Sequence, residues 1–420
     1  MKTFLKGNRK RLSNFIKNGS ACVLFSGKAP YKAGDEKYPF TPNRNFYYMT
    51  GLESENFIYL IYKFNDTVNE FIFINRYDED AAKWTVSSPN KSLTKDISGI
   101  ENIKYVDEFE SFLSSIIFNN SIKVFMLDIE KREVGYSVPS LDFADFIKRE
   151  YQYIKIENIY NFFADMRMIK QEYEIENIKK AAEITKHGIY SIMKNIRVGM
   201  YEYEAEAYFD FELKKRGVKD KAFNTIMASG KNGCILHYDK NDSIINDGEL
   251  VLFDLGAKYG YYSADVTRTI PANGKFSKRQ RQIYDIVLEG QKFVIGLIKP
   301  EIEFSVLNKS LREFYLKELK KIGLISEDGD DKCLFKYYYH GVSHPLGLET
   351  HDAGRFREGV IKENMVLTVE PGLYIENEKI GIRIEDDVLV TKNGCEVLTK
   401  DIIKDADKIE MFMSEAFKNA

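Results

Sequence analysis

Short apolar runs alternate with charged stretches through about the first 160 residues of the chain. The runs are rich in Ile, Val, Phe and Tyr and are bounded by Gly, Asn and Asp, which is typical of β-strands. The segment 138–150, between two of these runs, has the apolar spacing of a helix. The predicted strands are 21–27, 57–64, 70–77, 122–129 and 153–159. This half is therefore predicted to form an α/β domain.

The hydrophobic pattern changes near residue 165. Between Glu172 and Ile196 the apolar residues recur three or four apart, or at multiples of that spacing, which predicts a long amphipathic helix. Further helices are predicted at 202–216, 278–298 and 305–322, and strand-rich blocks at 249–271 and 365–391. The second half is therefore predicted to be α+β. We expect two domains, 1–168 and 169–420, joined without a flexible linker.

The most distinctive segment of the first half is 35–51, DEKYPFTPNRNFYYMTG, which is dense in aromatic residues and also contains two prolines. Such a composition favours an ordered surface loop. The alternative interpretation is a lip that reaches a binding site, which could belong to another subunit.

Composition and charge exclude several classes of protein. A chain of 420 residues with 44% hydrophobic and 30% charged residues is typical of a globular protein with two or three domains. The net charge of −3 and pI near 6.1 give no electrostatic basis for binding nucleic acid or an anionic membrane. No apolar run of about 18 residues and no signal peptide is present, so we expect a soluble protein without a membrane partner. The four cysteines form no C-x-x-C pair, which indicates reduced thiols and a cytoplasmic location.

The block 249–271 has the pattern of a β-hairpin that carries two aspartates. The apolar run ELVLFDLG is followed by AKYG and then by the β-rich run YYSADVTRTI. If the turn centres on Tyr259 and Gly260, Asp254 faces Asp265 across the hairpin. A β-bulge would shift this register by one residue.

The block 365–391 has the pattern of a second hairpin, in which MVLTVEPGLYI and IGIRIEDDVLV flank a polar turn. A turn centred on Asn377 and Glu378 makes Glu370 face Glu385. Acids within apolar strands are costly unless they are paired or bind a metal ion. By contrast, Asp386 and Asp387 are expected to be solvated strand residues. Carboxylates clustered with one imidazole suit hard or borderline divalent ions such as Mn²⁺, Fe²⁺ or Co²⁺.

The segment 340–352, HGVSHPLGLETHD, contains three histidines within a short stretch that includes Gly and Pro. His340 and His344 have the spacing of a helical zinc site, but Pro345 disfavours helix at this point. The segment is therefore predicted to be a loop or extended chain that brings imidazoles to a site. His187, within the long amphipathic helix, is predicted to be structural.

Taken together, these motifs resemble the Xaa-Pro aminopeptidase (aminopeptidase P) branch of the pita-bread metallopeptidases. The matching stretches include NTIMASGKNGCILHY, DGELVLFDLG, GYYSADVTRTIPANGKFS, HGVSHPLGLETHD, LTVEPGLYI and IGIRIEDDVLVT. YPFTPNRNFYYMTGL resembles the creatinase-type N-terminal domain of the same branch. The resemblance covers nearly the whole chain and implies a creatinase-like α/β domain followed by a pita-bread catalytic domain.

The resemblance also implies which residues form the site. The implied ligands of two divalent ions, expected to be manganese, are Asp254, Asp265, His344, Glu370 and Glu385. Of these, Asp265 and Glu385 would bridge the ions. The implied catalytic residues are His237, His340, His351, Glu370 and Arg383, and the implied substrate contacts are His237, His351, Tyr374, Arg383, Asp35 and Trp84. Asp35 and Trp84 would approach the site of a neighbouring subunit in a dimer or tetramer.

The implied reaction removes the N-terminal residue from a peptide whose second residue is proline. A hydroxide held between the two ions would attack the scissile carbonyl. A metal ion with His351 or His237 would stabilise the oxyanion, and Glu370 would carry the proton to the leaving nitrogen.

Two alternatives compete with this interpretation. A prolidase, which cleaves only Xaa-Pro dipeptides, shares the fold and most of the motifs. A non-catalytic binding protein on the same fold would have lost metal ligands, whereas all five are present here. The form of HGVSHPLG favours the aminopeptidase.

Overall fold

The structure is a computed structural model that describes residues 1–84, 86, 88–130, 138–354 and 359–418. The chain divides into two compact units, Met1–Phe163 and Ala164–Ala420. The division falls inside the helix Tyr160–Met168, five residues before the predicted domain boundary.

The N-terminal unit is built around a six-stranded sheet with helices between its strands. Its described strands are β1 (Ser20–Phe25), β2 (Tyr31–Ala33), β3 (Glu36–Lys37), β4 (Ile58–Phe64), β5 (Thr67–Ile74), β6 (Asn102–Tyr105), β7 (Val124–Leu127) and β8 (Lys155–Asn158). Its described helices are α1 (Lys2–Phe15), α2 (Arg44–Thr50), α3 (Lys91–Ser98), α4 (Phe109–Asn119), α5 (Pro139–Glu150) and α6 (Tyr160–Met168).

The strand order of this sheet is β6-β5-β4-β1-β7-β8. The strand β4 runs antiparallel to β1 and β5, and the other neighbouring strands run parallel. The core on one face is aromatic: the rings of Phe73 and Phe109 lie 5.0 Å apart, and those of Phe125 and Phe143 lie 5.5 Å apart. The edge strand β6 was not predicted, because its residues NIKY are only partly buried and lack a clear apolar pattern.

The prediction of a surface loop at 35–51 is wrong for its second half. Arg44–Thr50 forms α2, whose residues after Arg44 are buried. The helix begins because the side chain of Asn43 accepts a hydrogen bond from the backbone N–H of Phe46 at 2.9 Å. It ends at Gly51, which has φ +68°, a conformation that glycine adopts readily.

The C-terminal unit combines helices with short antiparallel sheets. Its described helices are α7 (Glu172–Asn195), α8 (Glu202–Lys215), α9 (Lys278–Leu297), α10 (Phe304–Lys321), α11 (Asp331–Leu334) and α12 (Ala406–Lys418). Its described strands are β9 (Ile226–Ser229), β10 (Leu250–Leu255), β11 (Lys258–Tyr259), β12 (Tyr262–Ser263), β13 (Val266–Pro271), β14 (Val366–Val369), β15 (Gly372–Ile375), β16 (Ile380–Arg383), β17 (Asp386–Thr391) and β18 (Gly394–Val397). The four helices predicted by periodicity are confirmed, with each end within one residue.

The core of this unit contains buried side chains from two three-stranded sheets, β13-β10-β9 and β14-β17-β18, and from the helices α7 to α10. The two sheets meet where the backbone N–H of Glu385 donates to the carbonyl of Thr267 at 3.0 Å. The hairpins β11–β12 and β15–β16 extend from them. No helix in the described ranges has both the length and the apolar character required to cross a bilayer.

The predicted register of the first hairpin is wrong by two residues, because Asp254 pairs with Thr267 rather than with Asp265. The turn centres on Gly260 and Tyr261, which both have positive φ. This is the two-residue turn that fits the twist of a hairpin. Since side chains alternate along a strand, a shift of two residues keeps Asp265 on the same face as Asp254.

The register of the second hairpin is confirmed. Val369 pairs with Asp386 and Gly372 pairs with Arg383, so Glu370 and Glu385 lie opposite each other between these pairs. The turn is a short 3₁₀ helix, Glu376–Glu378, followed by Lys379 in a left-handed conformation.

Candidate metal centre

A small cavity of about 70 Å³ in the C-terminal unit is lined almost entirely by polar side chains. The lining residues are Leu236, His237, Asp254, Asp265, His340, His344, His351, Glu370, Arg383 and Glu385. The structure therefore brings together all five residues that the sequence predicts as metal ligands. It also places the other three predicted site histidines and Arg383 around them.

Three of the predicted ligands are close enough to share an ion. One donor atom from each of Asp265, His344 and Glu385 lies within 4.8 Å of the other two. The Nε2 atom of His344 lies 3.5 Å from Oδ2 of Asp265 and 3.4 Å from Oε1 of Glu370. With Asp254 on β10, the five predicted ligands come from separate places: just before β13, just after β14, between β16 and β17, and a loop. The site therefore depends on the tertiary fold.

Hydroxyl groups beside the carboxylates fix their orientation. Oγ1 of Thr267 donates to Oε2 of Glu385 at 2.7 Å. Oγ1 of Thr368 accepts from the backbone N–H of His344 at 3.1 Å and lies 3.4 Å from Oε1 of Glu370. Neither threonine is among the site residues predicted from the sequence. Both could have been found from the alternation of side chains along a strand, because each lies two residues from a predicted ligand.

The site holds far more negative than positive charge. Burial raises the pKa of Asp265 well above its ordinary value, with further contributions from Glu385 and Asp254. Burial, then repulsion from Glu370, raises the pKa of Glu385 in the same way. Burial also raises the pKa of Glu370 to about 8, and Arg383 only partly opposes this. Carboxyl groups in such surroundings are stable as anions only if cations join them.

Two buried oxygens show where such cations fit. Oδ1 of Asp254 and Oδ1 of Asp265 are shielded from solvent, and no described residue donates a hydrogen bond to them. An unpaired buried carboxylate oxygen is costly, and a metal ion would satisfy it. The donor set of four carboxylates and one imidazole therefore fits hard or borderline divalent ions.

The imidazole of His344 is neutral, as a metal ligand has to be. Burial, followed by the nearby His351, lowers its pKa to about 4. Its Nδ1 lies 3.0 Å from the carbonyl oxygen of Pro345, which can only accept, so Nδ1 carries the proton. The lone pair of Nε2 is therefore left for an ion next to Asp265 and Glu370. As predicted, this histidine lies outside any helix.

Arg383 links the carboxylates to an aromatic cluster. Its guanidinium donates to Oδ2 of Asp254 at 2.6 Å and to the hydroxyl of Tyr374 at 3.2 Å. The same hydroxyl lies 2.9 Å from Nε2 of His340. Tyr374 is only 2% exposed and is outside the set of described residues that line the cavity. Tyr374 therefore contacts Arg383 and His340 without lining the cavity itself. Its contact with substrate stays a prediction.

The remaining predicted site residues lie at accessible positions. His237 and His351 are exposed on the cavity lining, and the rings of His351 and His344 lie 4.4 Å apart. In the N-terminal unit, Asp35 is exposed in the turn between β2 and β3, and Trp84 is 88% exposed. Their roles stay predictions. His187 is 44% exposed on α7, 3.3 Å from Glu183.

The expectation that Asp386 and Asp387 are solvated is wrong, because both are completely buried. They lie on β17, the central strand of its sheet, which is covered on both faces. Asp386 pairs with Arg268 at 2.8 Å and also with Lys404. Oδ2 of Asp387 accepts from the backbone N–H of Asp265 at 3.2 Å.

A second buried ion-pair cluster was also missed by the sequence analysis. Asp352, the residue after His351, pairs with Lys170 at 3.0 Å and with Arg167. All three side chains are almost fully buried. The cluster ties the loop that carries His351 to the chain just before α7. No local pattern in the sequence indicates this cluster, since the partners are more than 180 residues apart.

The chain is similar to known proteins over nearly its whole length. The model of metallopeptidase family M24 matches residues 176–392, and that of the aminopeptidase P N-terminal domain matches residues 5–125. The chain is 31% identical to the Xaa-Pro aminopeptidase of Escherichia coli (strain K12), over 98% of this chain and 97% of that protein. It is 29% identical to the Xaa-Pro dipeptidase of Mus musculus, over 93% and 90%. A solved structure from Bacillus anthracis, described as an aminopeptidase P, has a TM-score of 0.96 and 47% identity over 99% of both chains.

Proposed function

Because the chain belongs to metallopeptidase family M24, we propose that it is an Xaa-Pro aminopeptidase that removes the N-terminal residue from peptides with proline in second position. The C-terminal unit is the pita-bread catalytic domain, and the N-terminal unit is the creatinase-like domain that precedes it. The observation that carries the proposal is the convergence of four carboxylates and His344 on one cavity, with buried oxygens left unpaired.

We propose two divalent ions, with manganese as the metal, held by the five residues that converge on the cavity. Asp254, Asp265, His344, Glu370 and Glu385 would hold these ions. Ions bound there would lower the pKa of a water molecule towards neutrality and polarise the substrate carbonyl. The carboxylate-rich donor set supports manganese over softer metals.

Two histidines are proposed to stabilise the negative charge that develops on the substrate oxygen. His351 and His237 line the cavity, and His351 has a pKa lowered by burial and by His237. A neutral imidazole N–H donates a hydrogen bond to a developing oxyanion without carrying a full charge of its own. Their exposure leaves both rings free to reach a bound peptide.

Glu370 is proposed to move the proton. Its carboxyl lies on the cavity wall, 3.4 Å from His344 and 3.8 Å from Nδ1 of His340. A carboxylate on the wall of the cavity can accept a proton from water and pass it to a leaving group. In this role Glu370 delivers the proton to the prolyl nitrogen as the peptide bond breaks.

Two features are proposed to recognise the substrate. The charge of the cavity binds the amino end of the peptide, and residues of a neighbouring subunit contact the rest of it. The carboxylates attract the free amino group of the substrate, and Arg383 lies next to Asp254 on the cavity wall. We also propose a dimer or tetramer in the cytoplasm in which Asp35 and Trp84 reach a neighbouring site. The exposure of both residues supports this role.

A cleavage assay over peptides of two to five residues tests the proposed function. With added Mn²⁺, a longer Arg-Pro-Pro peptide is expected to lose its first residue, and chelation is expected to stop the reaction. Cleavage of Gly-Pro alone, with the longer peptide left intact, would instead identify a prolidase. Tight peptide binding without turnover after Mn²⁺ addition would favour a non-catalytic protein.

A further inference from the structure

The side chain of Glu202, far from the carboxylate cluster in sequence, is completely buried at the first position of α8. Burying a carboxylate is costly unless many hydrogen bonds compensate for lost water. Five neutral groups donate to its two oxygens. They are the N–H (2.6 Å) and Oγ (2.8 Å) of Ser229, Nδ2 of Asn232 (3.0 Å), the hydroxyl of Tyr238 (2.7 Å) and the N–H of Ser243 (3.0 Å).

All five donors belong to one chain segment, 229–243, which begins at the end of β9. Glu202 therefore holds both ends of this segment, Ser229 and Ser243, on a single carboxylate. The backbone adds a further link, since the N–H of Glu202 donates to the carbonyl of Ser243 at 2.9 Å. Joining the two ends restricts the conformations open to the residues between them.

The opposite side of the segment packs on the β15–β16 hairpin. A Cβ atom on Gly381 would lie only 2.0 Å from the carbonyl oxygen of Gly233, so the two backbones are in direct contact. The hydroxyl of Tyr339 donates to the carbonyl of Cys234 at 2.7 Å. The segment is thus fixed from two sides, and Leu236 and His237 project into the cavity from between these contacts.

His237 has no comparable support of its own. Within the ranges that the structure describes, no hydrogen bond holds its imidazole. The residue after it, Tyr238, is buried and is one of the five donors to Glu202. The location of the His237 ring is therefore set by the backbone of the segment rather than by contacts of the ring.

We propose that Glu202 is a positioning residue that fixes the place of His237 in the cavity and thereby its contact with the substrate oxygen. This inference rests on the proposed function, because His237 acts on substrate only if the chain is a peptidase. Among the described residues Glu202 is not part of the cavity lining, and its five hydrogen-bond donors include no proposed metal ligand.

The direct test replaces Glu202 by glutamine. Glutamine keeps the shape, but its amide nitrogen donates, so one end of the segment loses its acceptor. We expect kcat/KM for an Arg-Pro-Pro peptide to fall about 10- to 100-fold, because small displacements of a catalytic group cost that much. Manganese content is expected to stay at the wild-type level. Unchanged kcat/KM would overturn the proposal.

Glu204 provides a matched control. It lies on the same first turn of α8 and accepts from the backbone N–H of Tyr201 at 2.7 Å, but it is exposed and does not contact the segment. Glu204→Gln removes the same charge from the same helix end and is expected to keep wild-type kcat/KM. An equal loss in both variants would point to helix stability and would contradict a role through His237.

A double-mutant cycle with His237→Ala separates positioning from general structural damage. If Glu202 acts through His237, adding Glu202→Gln to His237→Ala should lower kcat/KM by less than about threefold. If the loss of kcat/KM in the double variant is instead the product of the losses in the two single variants, the proposal is contradicted. If Glu202→Gln does not fold, Tyr238→Phe, which removes one donor beside His237, replaces it in the same cycle and is judged by the same criterion.

Hydrogen exchange on the metal-free protein gives a readout independent of activity. Faster amide exchange confined to 229–243 is expected in Glu202→Gln and Tyr238→Phe, and unchanged exchange in Glu204→Gln. Wild-type exchange rates in the first two variants would contradict the proposal. Wild-type protein that fails to cleave any Xaa-Pro peptide with Mn²⁺ would instead refute the proposed function, so the two failures are distinguishable.

Discussion

Two groups of buried carboxylates in the C-terminal unit differ in where their countercharge comes from. Asp386 and Asp352 each have two cationic side chains of the protein beside them. Burial alone would raise their pKa values, but these cations lower both below the ordinary value. Asp265 and Glu385 instead have pKa values raised well above the ordinary range. A carboxylate with its own cations is structural, whereas a cluster without enough of them indicates a site for ions from solution.

Removal of one proposed metal ligand is expected to have the greatest effect on metal binding and activity. Asp254→Asn is expected to lose bound manganese and peptidase activity together. Changes to groups that only support metal ligands cost about 10- to 100-fold, so the loss of a ligand should exceed about 100-fold in kcat. Elemental analysis and peptide cleavage on the same sample check both effects. Metal retained at the wild-type level, with activity lost, would remove Asp254 from the ligand set.

A second variant tests a cavity residue outside the ligand set. His351→Ala is expected to keep its metal but to lose about 100-fold in kcat, because it removes one donor to the developing oxyanion. The measurements are steady-state kinetics and metal content. Release of metal from this variant would show that His351 is a ligand and that the proposed assignment is wrong.

For a carboxylate paired with cations of the protein, substitution is expected to lower stability and leave metal binding intact. Asp386→Asn leaves Arg268 and Lys404 buried without their partner and should lower the free energy of unfolding by about 3–5 kcal/mol. Metal content is expected to be unchanged. Asp265→Asn is the matched change in the other group, and it should leave the metal-free protein no less stable, since it removes charge from a crowded cluster. Denaturant unfolding of the two metal-free variants measures their free energies of unfolding. Equal losses would contradict the difference proposed between the two groups of carboxylates.

The smallest expected effect is a pH dependence of the metal-free protein. Glu370, with a folded pKa of about 8 against an ordinary 4.5, contributes stability that is lost as the pH rises through 8. His340 and His344 have pKa values lowered to about 4, so they make stability rise with pH instead. Their contribution changes only below pH 6.5, the ordinary pKa of histidine. Between pH 6.5 and 8 stability should therefore fall, by about 1.4 kcal/mol per pH unit for each proton released.

Saturating manganese should remove most of this fall, because bound ions keep the cluster ionised throughout the range. A smaller decrease of the same sign should persist from Glu174, whose pKa burial raises to about 7 and which lies outside the cavity lining. Thermal unfolding with and without Mn²⁺ at several pH values measures the difference. Identical profiles in both conditions would contradict the proposed metal site.

What the sequence predicted well were features with a local cause. Helical periodicity located the four long helices to within one residue, and the short polar turn fixed the register that places Glu370 opposite Glu385. The register of the first hairpin failed because the sequence did not show that both Gly260 and Tyr261 adopt positive φ.

Features with a long-range cause were missed. Asp386 is buried because Arg268 and Lys404, distant in the chain, meet it in the folded unit. Glu202 has no sequence motif, since its donors lie 27 to 41 residues away. The residues that meet at the cavity could therefore be predicted from motifs and resemblance, but the groups that hold them in place could be found only in the fold.

Anomalous diffraction from manganese-loaded crystals tests the central claim most directly. Two strong peaks are expected in the cavity, among the side chains of Asp254, Asp265, His344, Glu370 and Glu385. No peak is expected at Asp386 or Asp352, which already have cations of their own. Crystals of fully active enzyme with no peak among the five cavity residues would contradict the claim.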